Sequence, residues 1–72
     1  MRKKRLLMTP NQILEVALSK EEQSHRFYDQ LLGECRADMV RELLERLKNE
    51  EYKHIRMVEA MITRLNLGKA LV

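Results

Sequence analysis

Apolar residues return every three or four positions along most of this chain, the period of a helix with one buried face. The first run reads Leu14, Ala17, Glu21, Ser24, Tyr28 and Leu31, with Leu18, His25 and Leu32 widening the stripe on one flank. The second reads Val40, Leu44, Leu47, Glu51, His54, Val58, Met61 and Leu65. Between them the stretch "GECRAD", residues 33–38, breaks the pattern. The spacing predicts one helix over about 10–32 and a second over about 39–66. Gly33 is expected to end the first, Asp38 to cap the second and Gly68 to stop it. The stretch "TPNQ", residues 9–12, predicts the first start: Thr9 as N-cap, Pro10 at N1, and Gln12 at the third position of a capping box.

Two helices and a short turn make an all-α antiparallel hairpin over 9–67, with a flexible arm at 1–8 and a tail at 68–72. Two helices side by side cannot enclose a core, and chains of 72 residues need a further staple. The single cysteine, Cys35, rules out a disulfide within the chain and reads as an inert structural or surface residue. The economical solution is a homodimer in which two hairpins form a four-helix bundle.

Two interruptions of the stripes change the picture. Glu21 stands where the first seam calls for an apolar residue, and Glu51 and His54 do the same in the second. With the turn centred near residue 36, Glu21 and Glu51 fall at equal height in an antiparallel hairpin. His54 follows Glu51 by three residues and shares its face. Three ligand-type side chains therefore converge in an otherwise apolar layer, and two-fold symmetry doubles them to four carboxylates and two imidazoles. Left alone, such a cluster is costly; divalent cations neutralise it. Carboxylate oxygen with one imidazole per metal suits iron(II) or manganese(II), with zinc a possible occupant. A Glu on one helix and Glu-x-x-His on its neighbour is the ligand pattern of di-iron carboxylate bundles. The competing reading turns these side chains outward, to pair with Lys20 or Lys53.

Charge adds less than it promises. The net charge is +3, but Arg2, Lys3, Lys4 and Arg5 account for it, and the rest has one more acid than base. Such a balanced body is that of solvated helix faces and argues against nucleic acid; the arm reads as a solubilising extension. No apolar run is long enough to cross a membrane, and the lone thiol suits a reducing, cytoplasmic compartment.

The segments "EEQSHRFY" (21–28) and "EEYKH" (50–54) resemble the first half of a rubrerythrin or ferritin-like domain, over roughly residues 12–65. The likeness implies Glu21 as a terminal carboxylate ligand, Glu51 as a metal-bridging carboxylate and His54 as the terminal imidazole. It also implies that Tyr28 supports the site by hydrogen bonding. The second helix pair and the cysteine-rich rubredoxin part are missing, so the chain is more similar to single-hairpin half-ferritins such as encapsulated ferritins. There, two chains share two iron ions, and dioxygen or peroxide is the oxidant. The implied activity is that of a ferroxidase or a peroxidase-like oxidoreductase, the latter using an external reductant. The C-terminal "LNLGKALV" is faintly similar to tags that load cargo into protein shells. An alternative function is a metal-free hairpin dimer that contacts partners through its basic arm. Glu22 and Glu50 are expected on solvated faces, His25 at the bundle edge, and Met57 and Met61 as packing residues.

Overall fold

The computed structural model describes residues 7–70, with side-chain surroundings for 7–68. Two helices account for nearly all of it: α1, Pro10–Glu34, and α2, Asp38–Ala70. The start of α1 follows the sequence signal closely. The Thr9 hydroxyl accepts from the Gln12 amide at 3.1 Å, and the Thr9 amide donates to Gln12 Oε1 at 2.9 Å, with Pro10 inside the first turn. Two otherwise orphaned amides are satisfied by one four-residue motif.

The expected stops are corrected. Gly33 lies inside α1, which continues to Glu34 and leaves helical geometry at Cys35, whose φ is −108° and ψ 131°. No glycine among the described residues has positive φ, so the left-handed termination that favours glycine is not used. Gly68 likewise sits inside α2. One glycine costs a helix only about 1 kcal/mol, too little to end a long one. Asp38 is not the cap either. The Ala37 carbonyl accepts from the Arg41 amide at 2.9 Å, which places Ala37 at the cap and Asp38 in the first turn, where its charge favours the positive helix end. Of the predicted arm, residues 1–6 lie outside the described part, and Leu7 and Met8 precede α1 exposed. Of the predicted tail, Gly68–Ala70 belong to α2, and 71–72 lie outside.

The packed line between the helices includes Leu14, Leu18, Glu21, His25, Tyr28 and Leu32 on α1, against Leu44, Glu51, Ile55, Val58, Ile62 and Leu65 on α2, with Ala17, Ser24, Leu31 and Leu47 also part-covered beside them. Only Leu32 and Leu44 are buried among the described residues, both near the turn. The side chains that sequence periodicity placed on a flank (Leu18, His25, Leu32) thus belong to the contact itself.

Beside each packed line runs a second, unpartnered apolar line. Ile13, Val16 and Phe27 on α1, with Val40, Leu43, Met57 and Met61 on α2, are 44–69% exposed. Most of them immediately precede a packed residue: 13 before 14, 27 before 28, 43 before 44, 57 before 58, 61 before 62. One residue back is a rotation of about 100°. On two antiparallel helices that face each other, the same backward step leads to the same side. The hairpin therefore has one open apolar side. The opposite side, one residue forward, carries Glu22, Asp29, Glu45, Arg56 and Glu59, all exposed.

Candidate metal centre

Glu21 and Glu51 occupy facing positions of the packed lines near the middle of both helices, and His54 belongs to the open line, immediately before Ile55. The three meet. His54 Nδ1 lies 3.3 Å from Glu21 Oε2 and 3.8 Å from Glu51 Oε2. One potential ligand atom from each residue falls within 4.8 Å of the other two, a spread that a single cation can span. Of the pairings expected from the outward alternative, Lys53 goes instead to Glu50 at 3.3 Å, while His54 is itself exposed.

Exposure is graded across the group. The side chains of Glu51, Glu21 and His54 are 19%, 29% and 48% exposed, so the cluster opens toward the side that His54 occupies. That is the open apolar side. Glu51 Oε2 is itself enclosed and has no hydrogen-bond partner, because His54 stands beyond hydrogen-bonding distance. An enclosed carboxylate oxygen without a donor is an expensive arrangement for a chain with so little interior.

Its cost shows in the ionisation of the pair. The Glu21 carboxylate beside it, an acceptor for the protonated form, holds the Glu51 carboxyl above the ordinary glutamate value of 4.5, and burial adds to this. Glu21 is held below that value, first by its coupling to Glu51 and then, against its own burial, by His54. Crowding thus pushes Glu51 toward its neutral form and Glu21 toward its charged one. A divalent cation answers all three features: it neutralises the pair, gives Glu51 Oε2 a partner and accepts the imidazole.

The neighbours sort by side. Glu22 and Glu50 are exposed, as expected. His25 is half-buried in the packed line, its ring 6.2 Å from that of Tyr52, and Arg56 lies 5.9 Å over the same tyrosine on the charged side. Tyr28 is half-buried two turns from Glu21 and packs at 5.6 Å against Phe27. Among the described residues, Glu21's hydrogen bond is to His54 and none joins Tyr28 to the three ligands. Two polar links were not anticipated from the sequence. Lys48 Nζ bonds Asp29 at 2.8 Å across the helices, and the Arg41 guanidinium donates to the carbonyls of Leu32 and Cys35. Their residue types are those of any solvated face; only the pairing across the turn gives them meaning.

Comparison with protein families finds a match to rubrerythrin over residues 12–72, most of the chain. The chain belongs to the rubrerythrin family. Comparisons with curated proteins and with solved structures returned no match. Among the described residues, no helix is long and apolar enough to cross a membrane.

Proposed function

We propose that this chain is a di-iron carboxylate protein in which two copies, joined through their open apolar sides, hold two iron ions between them and oxidise iron(II) with dioxygen or peroxide. The observation that carries this reading is the convergence of Glu21, Glu51 and His54 at the lip of an unpartnered apolar surface. A half-exposed ligand set is poorly suited to hold a metal alone. A second hairpin placed over that side brings a second set to the first, removes water from both, and covers Ile13, Phe27, Leu43, Met57 and Met61.

Each residue then has a defined task. Glu21 and His54 supply one oxygen and one nitrogen from neighbouring helices, and each steadies the other through their present contact. Glu51, set deepest, has an oxygen that no protein donor reaches and would offer it to the metal. Cation and proton would compete for the Glu21–Glu51 pair, so loading would be coupled to pH. When bound, a pair of iron(II) ions supplies two electrons, one from each, for the reduction of dioxygen or peroxide. Manganese or zinc would fit the same donors. Oxidation then serves iron detoxification or defence against peroxide, the latter with an external reductant. The rubrerythrin match and the donor chemistry support this reading.

The test is metal analysis of protein purified without chelator, together with solution mass. About one iron, manganese or zinc per chain in a species of twice the monomer mass is expected. Clean monomer that neither binds iron(II) nor oxidises it in air would overturn the proposal in favour of a metal-free interaction module.

A further inference from the structure

The site depends on register, and little in the apolar packing fixes it. A slip of one residue between the helices moves a side chain by about 1.5 Å along the axis and about 100° around it. That is enough to carry Glu51 away from Glu21. Two buried leucines cannot forbid such a slip by shape alone. The link is Cys35, Arg36 and Ala37, with no glycine and no left-handed residue to set its path.

What holds this end is Arg41. One turn into α2, its part-buried guanidinium reaches back and donates through Nη1 to the carbonyls of Leu32 and Cys35, the latter at 2.8 Å. These are carbonyls of the last turn of α1 and its cap, which no amide of that helix satisfies. The final turn of α1 contains no basic residue of its own, so the cation that suits a helix C-terminus arrives from the other helix. One side chain thus closes α1 and anchors α2 to it. Lys48 with Asp29 repeats the tie between this staple and the metal ligands, but Asp29 is 63% exposed, and an ion pair open to solvent on one side holds weakly.

From these contacts we infer that Arg41 is a positioning residue for the metal centre: it sets the register that brings Glu21 against Glu51 and His54. The inference rests on the metal-binding reading for its functional meaning, while its structural content is measurable without metal. Arg41→Met keeps much of the apolar stem and removes every donor. Arg41→Lys restores a cation with fewer donors on a shorter reach, so it should recover the two carbonyl contacts only in part.

Manganese(II) binding and nuclear Overhauser contacts between the His54 ring and the Glu21 side chain in metal-free protein are measured for all three chains. Arg41→Met should retain helicity, lose the contacts and bind manganese(II) roughly tenfold more weakly, with partial recovery in Arg41→Lys. Should Arg41→Met lose its helicity, Arg41→Gln, which keeps one amide donor, is measured in its place with the same expectation. Unchanged contacts and unchanged affinity in a helical variant would overturn the assignment. If the parent chain binds no metal, the metal-binding reading falls, and the contacts alone decide whether Arg41 sets the register.

Discussion

His54 Nδ1 meets Glu21 Oε2 at 3.3 Å across thirty-three residues of chain, while its neighbour in sequence, Glu51, stands at 3.8 Å. The imidazole is thus bound more closely to the other helix than to its own. This bridge joins the two helices at mid-length, where a metal would later lie.

Removing the deepest carboxylate separates binding from folding. Glu51→Gln keeps shape and hydrogen bonding but abolishes the charge shared with Glu21. The metal-free variant should melt no lower than the parent, because its enclosed oxygen no longer belongs to a crowded pair of acids. Added manganese(II) or iron(II) should no longer raise its melting temperature. Glu51→Ala and His54→Ala should show the same loss. Differential scanning calorimetry with and without metal checks all three; unchanged iron oxidation in Glu51→Ala and His54→Ala would remove these residues from the mechanism.

Acidity should act in opposite directions with and without metal. The folded value of Glu51 is raised, so its contribution is present in full below the ordinary 4.5 and is lost as pH climbs through the raised value. The folded value of Glu21 is lowered, so its contribution is present above 4.5 and lost as pH falls through the lowered value. Metal-free protein should therefore weaken as pH rises above 4.5, through the Glu51 titration, whereas metal affinity should strengthen over that window as the proton is shed. Melting curves and binding isotherms across it would show the crossing; metal affinity independent of pH would contradict it.

The open apolar side is testable by placing a charge on it. Phe27 is 55% exposed and lies two turns from Glu21 on the side to which the cluster opens. Phe27→Glu should shift the chain from twice its 8.6 kDa mass to the monomer and weaken metal binding without touching a ligand. Sedimentation analysis at several concentrations reads the first effect, and metal titration the second. A charge on the opposite side, at Gln23 or Thr63, should leave both unchanged.

The capping box offers a stability test far from the metal. Thr9→Ala removes the side-chain acceptor for the Gln12 amide and should cost about 1 kcal/mol. Urea unfolding at fixed protein and metal concentration measures it. Metal stoichiometry should remain that of the parent.

Much of this centre was legible because a helix obeys arithmetic. Glu21 and Glu51 face each other where the count outward from the turn placed them, whereas His54, expected in the same seam, lies one step out on the exposed side and meets them from there. The Thr9–Gln12 box was legible for the same reason, as it is complete within four residues. What depended on tertiary choice was not. Gly33 and Gly68 looked like stops, yet a lone glycine ends a helix only where the chain needs a left-handed turn, and here it does not. Which edge of α1 meets α2 was decided by a rotation that put His25 and Leu18 into the contact. Arg41 looked like any surface arginine until α1 ended beneath it.

The scarcity of enclosed side chains has a consequence for the life of the molecule. With only Leu32 and Leu44 sheltered among the described residues, a solitary copy would have little to resist a protease, and its survival would depend on concentration if two copies pair as proposed. Newly made chains at low copy number would be cleared, while those meeting a mate and a cation would endure.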